Sequence, residues 1–294
     1  DEELDKYSLV RKYLLNESDS VIGKPFLWIH TKHKINARNW ESFYSRNSKK
    51  LNQPYKELCV ESIVKHCGES FQICLIDDSS FGRILDDWTI CMDGLAEPIK
   101  DRVRTLALSK LLYTYGGMLV PNSTIAMKDL IELHDGKLQE KDMFTGELVN
   151  RGDSSTYSRF SPSHTFMGCK KNSNSMKELE EYLEILISND NTDQANFNES
   201  INRKIYELMN NGKCAVICGK ALGTKNKKDN VLLIDNWLEE SPVDLCMCSL
   251  YCIVIPGDEI LSRTKYQWFA RLSKEQVLTA NTQISKYMII SHGI

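Results

Sequence analysis

The sequence predicts an α/β fold with a Rossmann-like, mostly parallel sheet flanked by helices. Over about the first 120 residues, apolar runs of strand length alternate with amphipathic helices, the order of a parallel sheet with right-handed crossovers. The runs are nearly continuous, as expected for strands that are buried on both faces. A helix then passes through Gly116-Gly117 into a short strand, and polar residues follow that strand.

Length and composition limit the possible classes of protein. The 294 residues are 41% hydrophobic and 26% charged, so the chain can bury a sizeable core. Without a linker or repeat, we expect one domain over residues 25–294, with a mixed second half, and a peripheral N-terminal helix over residues 1–24. A net charge of −3 gives no electrostatic case for a nucleic-acid partner. No apolar run is long enough for a membrane span, although the sequence is compatible with an anchor upstream of Asp1.

The first half supplies the predicted sheet in chain order. A polar loop over residues 31–53 interrupts it and is of a length typical of a lid or a surface wrap. The predicted elements are a strand at Phe26–His30, a helix at Pro54–Cys67, a strand at residues 71–76 that ends in Asp77-Asp78, and a helix from Asp101 to Gly116.

The second half is more mixed. The expected elements are strands at residues 143–146 and 164–169 around a polar loop (150–163), helices at 176–187 and 201–209, strands at 214–218 and 250–255 with a basic loop at 220–228, and one last helix that carries residues from Tyr266 to Leu278.

The residues around Gly116-Gly117 mark the expected ligand site. Glycine enters a left-handed helix C-cap without a Cβ penalty, so the two glycines should stop the helix. Residues 118–120 then form a short buried strand, and Pro121-Asn122-Ser123 turns the chain. Open α/β sheets bind ligands at such strand ends.

Residues 111–119, with the strand ending in His30 and the strand ending in Asp77-Asp78, resemble the glycosyltransferase family 32 signature. This sugar-transferase segment is shared by yeast mannosyltransferases, capsular-polysaccharide enzymes and large clostridial toxins, and the resemblance covers about residues 25–170. The closing segment Tyr266-Gln267-Trp268-Phe269 resembles, more particularly, glycosyltransferase-like proteins of nucleocytoplasmic large DNA viruses.

The resemblance implies a nucleotide-sugar-binding GT-A fold. Family members hold Mn²⁺ or Mg²⁺ with an Asp-x-Asp motif just after the strand that follows Gly-Gly, and carry an Asp and an Arg about eleven and eight residues before the first glycine. Here those positions are Pro121, Ser123, Thr105 and Leu108, so all four polar residues are missing. Metal assistance is worth several kcal/mol in such reactions, so its loss is severe.

Other acidic residues offer substitutes for the missing carboxylates. Asp77 and Asp78 are the first candidates for a metal ligand or base, and Asp86-Asp87 the second. The alternative is that these carboxylates cap the turns and the helix that follow them.

Basic residues and two histidines complete the candidate set. Arg102 and Arg104 either face a phosphate or lie on the solvent side of their helix. His30 is placed to line the cleft, but His30 and His33 lack a third ligand for a metal. The candidate cofactor-binding residues are therefore Gly116, Gly117, Asn122, Ser123, Arg102, Arg104 and His30, and no metal ligand is assigned.

The ten cysteines lie mostly in apolar runs, which favours a reducing compartment over a disulfide framework. Cys246-x-Cys248-x-x-x-Cys252 and Cys214-x-x-x-Cys218 lack the paired Cys-x-x-Cys spacing of a zinc site. We therefore expect these five to be buried core cysteines.

Two functional hypotheses follow. The first is a GT-A-like domain without a cofactor that has lost metal-dependent catalysis and acts as a binding or structural protein. Its expected location is the cytoplasm or a virion, and its partners are a nucleotide sugar, a glycan or other viral structural proteins. The second is an active glycosyltransferase that moves a sugar from a nucleotide sugar, with Mn²⁺ or Mg²⁺, to a hydroxyl acceptor.

Overall fold

The computed structural model describes residues 2–32, 53–150, 158–189 and 194–294. The predicted α/β class is confirmed: a mostly parallel six-stranded sheet lies between helices, compatible with a Rossmann-like fold. The strands of this sheet are β1 (Phe26–His30), β2 (Gln72–Ile76), β3 (Gly117–Pro121), β5 (Met143–Val149), β6 (Phe160–Cys169) and β7 (Ala215–Ile217). Two further strands, β4 (Thr124–Ala126) and β8 (Cys252–Val254), form a separate antiparallel pair.

The described helices are α1 (Glu2–Val10), α2 (Pro54–Cys67), α3 (Phe81–Ile84), α4 (Ile99–Tyr115), α5 (Ile131–Glu140), α6 (Asn174–Ser188), α7 (Gln194–Asn210), α8 (Ile234–Leu238), α9 (Gly257–Ser262), α10 (Gln267–Ala270), α11 (Lys274–Thr279) and α12 (Gln283–His292).

The six strands lie in the order β2-β1-β3-β6-β5-β7. β1 pairs in parallel with both β2 and β3, and β5 pairs in parallel with β7. β6 runs antiparallel to both of its neighbours. The chain thus leaves β1 for β2 on one side and later returns to β3 on the other side. Such a reversal of strand order is the topological switch point at which open α/β sheets bind ligands.

Side-chain alternation along β1 divides the core into two layers. Leu27 and Ile29 pack with α2 and α5 on one face of the sheet, whereas Trp28 packs with α4, α6 and α7 on the other. Both faces are apolar because helices cover both, as the continuous hydrophobic run predicted. A third apolar cluster joins α2 to the helices of the C-terminal third, with Tyr55, Trp237 and Phe269 at its centre.

Gly116 and Gly117 end α4 and begin β3, and both have positive φ, at 70° and 93°. Gly116 pairs that φ with a ψ of −165°, so it occupies an extended glycine conformation and not the left-handed cap that the sequence suggested. A Cβ on Gly117 would lie 2.1 Å from the carbonyl oxygen of Phe26. Gly117 therefore lets β3 approach β1 closely at the end of the sheet where β1 begins, whereas a Cβ on Gly116 would meet the backbone of Lys171 at 2.8 Å.

The C-terminal third departs most from the sequence prediction. The single last helix is wrong: residues 264–279 form a 3-10 turn and two short helices, α10 and α11. α12 follows and packs on α2 and β4, where the Ser291 hydroxyl donates to the Ala126 carbonyl at 2.5 Å. Ala126 in turn donates its N–H to the hydroxyl of Ser62 at 2.9 Å, so β4 lies between α2 and α12.

Residues 1–24 begin with the expected helix, and the segment after it packs on the sheet edge. Leu14 forms an isolated antiparallel bridge with Cys74 of β2, and Leu15 donates its N–H to Ile73 at 2.8 Å. The Asn16 side chain donates to two backbone carbonyls and accepts from the Ile73 N–H. This segment therefore covers the β2 edge.

Candidate functional site

The carboxyl ends of β1, β2 and β3 meet at the topological switch point. His30 is in register with Ile76 on one side and with Pro121 on the other. Lys32 follows β1, Asp78 follows β2, and the first half of α4 supplies Asp101 and Arg104. These five residues, His30, Lys32, Asp78, Asp101 and Arg104, are called the strand-end cluster.

Asp78 is the centre of the cluster. Arg104 binds it through two parallel hydrogen bonds of 2.7 Å, from Nε to Oδ1 and from a terminal nitrogen to Oδ2. His30 Nε2 lies 2.9 Å from the same Oδ1. Such a bidentate, charge-assisted pair is among the strongest polar contacts in proteins. Both carboxylate oxygens of Asp78 are therefore occupied by protein groups.

Arg104 is also held by the helix that carries it. Its other terminal nitrogen donates to Asp101 Oδ1 at 2.9 Å, and Glu97 lies 3.7 Å away. Its side chain is only 5% exposed. The guanidinium is thus neutralised from two sides, and an incoming phosphate would have to displace Asp78 or Asp101.

Lys32 closes the outer side of the cluster. Its ammonium lies 2.9 Å from Asp101 and 3.7 Å from Asp258, the second residue of α9. The two cations of the cluster are therefore matched by two carboxylates in direct contact, with further acids at the rim. A balanced cluster of this kind has no excess positive charge with which to attract a diphosphate.

The pKa values of the cluster follow from these contacts. Burial alone would raise the pKa of Asp78, but the hydrogen bonds from Arg104 and His30 hold it well below its usual range. Burial lowers the pKa of His30 despite the nearby Asp78. Burial also favours a lower pKa for Lys32, yet Asp258 and Asp101 raise it above the ordinary lysine value. Asp78 and Lys32 are therefore charged at neutral pH.

His164 of β6 lies close enough to this region for the charges of Asp101 and Lys32 to affect it. Burial lowers its pKa to about 4, so its imidazole is neutral at pH 7. Its Nδ1 is buried and has no hydrogen-bond partner in the part of the chain that the structure describes.

Pro121, Asn122 and Ser123 lie at the positions where the resemblance to glycosyltransferase family 32 would place an Asp-x-Asp motif. Ser123 is buried, donates its hydroxyl to the Ile255 carbonyl at 2.6 Å and accepts the Ile255 N–H on its own carbonyl at 3.1 Å. The hydroxyl is thus committed to the segment that follows β8. Asn122 is half-buried in the turn, and Pro121 offers no side-chain oxygen.

The side chains of Pro121, Asn122 and Ser123 do not fit as ligands of a divalent metal. Mn²⁺ and Mg²⁺ require oxygen ligands, usually carboxylates, that can turn toward the ion. Over residues 2–32, 53–150, 158–189 and 194–294, no group of three or more His, Cys, Asp or Glu side chains is arranged to hold a metal ion.

The other predicted site residues lie apart from the strand-end cluster. Asp77 accepts hydrogen bonds from the N–H and hydroxyl of Ser79 and from the hydroxyl of Ser80, which is the capping role considered for it. Asp86 and Asp87 are exposed in a turn. Arg102 is buried and places its guanidinium 5.2 Å from the ring of Phe197 on α7. It therefore faces away from Arg104, as two residues 200° apart on a helix must.

Gly116 and Gly117 lie at the start of β3, whereas Asn122 and Ser123 follow its end. The glycines therefore lie at the end of β3 that is far from the cluster. There they pack against the backbone of β1 and of Lys171. His33 lies outside the described residues.

Two members of the strand-end cluster, Lys32 and Asp101, were not predicted from the sequence, and neither was the nearby His164. One signal for Asp101 was available. The helix Asp and Arg of the family are three residues apart, and Asp101 and Arg104 have that same spacing four positions earlier, which is about one helical turn.

The prediction of five buried cysteines is right for two of them and wrong for three. Cys214 and Cys252 are buried, but Cys218 and Cys248 are exposed and Cys246 is partly exposed. Cys246 and Cys248 lie in a turn between the buried side chains of Leu245 and Leu250, and this turn places their thiols at the surface. Cys218 follows the end of β7.

No protein-family model matches the chain, and no curated protein matches it at a significant level. None of the helices in the described ranges combines the length and apolarity that a bilayer crossing requires. Function is therefore inferred from the site itself.

Proposed function

We propose that the chain is a GT-A-like domain that has lost metal-dependent sugar transfer and acts as a binding or structural protein. The observation that carries this proposal is the end of β3. Where two carboxylates would hold the metal, Pro121 has no ligand atom and the hydroxyl of Ser123 is bonded to Ile255.

The strand-end cluster supports the same conclusion. Asp78, the best replacement carboxylate, is bound at both oxygens, and Arg104, the best phosphate donor, is bound by two acids. Breaking a buried ion pair costs about 3 to 5 kcal/mol, which a weakly held ligand cannot supply. A glycan or other viral structural proteins, in a virion or the cytoplasm, are the partner classes that fit such a domain.

Calorimetry with UDP- and GDP-sugars, with and without Mn²⁺, tests this proposal. We expect no heat of binding that depends on the metal. Tight, metal-dependent binding of either nucleotide sugar would refute it.

The alternative is an active glycosyltransferase that uses a nucleotide sugar without the Asp-x-Asp motif. One observation favours it: Asp101 and Arg104 keep the spacing of the family's helix pair and reach the carboxyl ends of the strands. In that reaction Arg104 would bind the diphosphate, and Asp78 would act as base or metal ligand once Arg104 released it.

Transfer and hydrolysis assays with single variants test the alternative. Asp78→Asn should abolish activity, whereas Asp77→Ala should reduce stability alone, because Asp77 caps a turn. If Asp78→Asn left measured transfer or hydrolysis unchanged, the proposed mechanism would be wrong.

A further inference from the structure

The segment before β8 carries two thiols in direct contact. The sulfur atoms of Cys246 and Cys248 lie 3.2 Å apart, closer than the usual separation of two unbonded sulfurs. A turn brings them together: Ser249 and Leu250 both donate their N–H groups to the carbonyl of Cys246, at 3.0 and 3.1 Å. The contact is therefore built into the backbone.

Both thiols can be reached from solvent. Cys248 is exposed and Cys246 partly exposed, while Leu245 and Leu250 on either side are buried. The turn is thus fixed at its two ends, and its sulfur atoms face outward. In contrast, Cys252, only four residues further on, is fully buried in β8.

The surroundings favour a thiolate at Cys246. The hydroxyl of Ser249 lies 3.3 Å from its sulfur. Hydrogen bonds from Ser249 and Cys248 lower the pKa of Cys246, and Lys220 adds to the effect. The thiolate is the reactive form in thiol–disulfide exchange, so Cys246 is the attacking sulfur of the pair.

We propose that Cys246 and Cys248 form a reversible dithiol–disulfide site that exchanges with small disulfides such as oxidised glutathione. The backbone of a turn permits this bond, because residues two apart in a turn have Cα atoms about 5 to 7 Å apart, which overlaps the range of disulfides. The proposal does not depend on the function proposed for the strand-end cluster.

The exchange balances in two steps. The Cys246 thiolate attacks one sulfur of oxidised glutathione, forms a mixed disulfide and releases one glutathione thiolate. The Cys248 thiolate then attacks the Cys246 sulfur, closes the internal disulfide and releases the second glutathione. The two thiols lose two protons and two electrons in total, and the oxidised glutathione becomes two reduced molecules. Exposed disulfides are readily reduced, so the reaction reverses in excess reduced glutathione.

Differential alkylation in glutathione buffers tests the proposal. The folded chain is equilibrated at a series of oxidised-to-reduced ratios, quenched in acid and alkylated, and residues 229–263, which tryptic cleavage leaves as one peptide, are analysed by fragmentation mass spectrometry. We expect Cys246 and Cys248 to lose their alkylation together, in one transition, with a mass decrease of two hydrogens and with Cys252 unchanged.

Two variants sharpen the result. Cys248→Ser should leave Cys246 as a stable mixed disulfide with glutathione, because the resolving thiol is gone. Cys91→Ser removes another exposed thiol and should leave the transition of the pair unchanged.

Three outcomes would overturn the proposal. The first is that both thiols stay free in the most oxidising buffer. The second is that both carry glutathione without an internal bond. The third is that Cys218→Ser abolishes the disulfide, which would show that Cys218 is the true partner.

Discussion

Arg104 binds both carboxylate oxygens of Asp78, across the gap between the middle of a helix and the end of a strand. Arg104 is almost fully buried, and this pair links α4 to the segment that follows β2. Its integrity therefore affects the stability of the sheet as well as any ligand site beside it.

Arg104→Ala is expected to lower the free energy of unfolding by about 2 to 5 kcal/mol, because it leaves the half-buried Asp78 without its main partner. The free energy of unfolding of Arg104→Lys should lie between those of Arg104→Ala and the wild type, since lysine keeps the charge but loses the bidentate geometry. Urea denaturation measures both. Arg83→Ala, at an exposed position on α3, serves as the control and should change stability by less than about 0.5 kcal/mol. Equal stability of Arg104→Ala and Arg83→Ala would contradict the prediction.

Gly117→Ala should destabilise the protein by more than about 3 kcal/mol, because a Cβ there meets the Phe26 carbonyl oxygen at a φ that disfavours side chains. The matched control is Gly136→Ala in α5, where a Cβ would have open space. That change should stabilise by about 0.5 to 1 kcal/mol, as alanine does within a helix. Thermal unfolding should give a lower Tm for Gly117→Ala and a higher Tm for Gly136→Ala than for the wild type. A Tm of Gly117→Ala equal to or above that of the wild type would contradict the close approach of β3 to β1.

Ser123→Asp, which places a carboxylate at one position of an Asp-x-Asp motif, should lower the free energy of unfolding by about 2 to 4 kcal/mol. The new carboxylate would be buried against the Ile255 carbonyl, where the serine hydroxyl now donates a hydrogen bond. Ser123→Ala should cost about 1 to 3 kcal/mol through the loss of that bond. Unfolding is measured with and without millimolar Mn²⁺. If Mn²⁺ raised the stability of Ser123→Asp back to that of the wild type, a metal site could still form here.

His164 should make the protein less stable in mild acid. Its pKa is about 4 in the folded chain against an ordinary 6.5, so between these values the unfolded chain binds a proton that the folded chain does not. Its contribution to stability is therefore full above about pH 6.5 and falls as the pH is lowered toward 4.

His164→Gln removes that titration. As the pH is lowered from 6.5 to 4, the free energy of unfolding of this variant should therefore fall less steeply than that of the wild type. Denaturation curves at several pH values in this window give the two slopes. Identical slopes would mean that His164 does not carry the effect.

Five elements of the first half follow closely from the sequence, whereas β4 and α5 were not predicted. Strands β1, β2 and β3 and helices α2 and α4 were predicted within one or two residues at most boundaries, because their apolar periodicity is strong. The C-terminal third was predicted poorly. Helices such as α8, α9 and α10 are four to six residues long, and helices this short form only through tertiary packing.

The site could be predicted as a place and as single residues, but not as a network. His30, Asp78 and Arg104 were each recognised as candidates, and the switch point between β1 and β3 brings them together. Their mutual neutralisation depends on which side chains face each other across elements, which no local pattern encodes. The exposure of Cys246 and Cys248 was missed for another reason: the turn that carries them lies within an apolar run of the sequence.

The position of β4 between α2 and α12 has a consequence for synthesis. Ala126 meets Ser291, a residue 165 positions later in the chain. At about 5 to 20 residues per second, a ribosome needs about 8 to 33 s to make the intervening segment. Until α12 has been made, the α2–β4 face lacks the helix that covers it in the complete fold, and we expect chaperones to bind the nascent chain at this face.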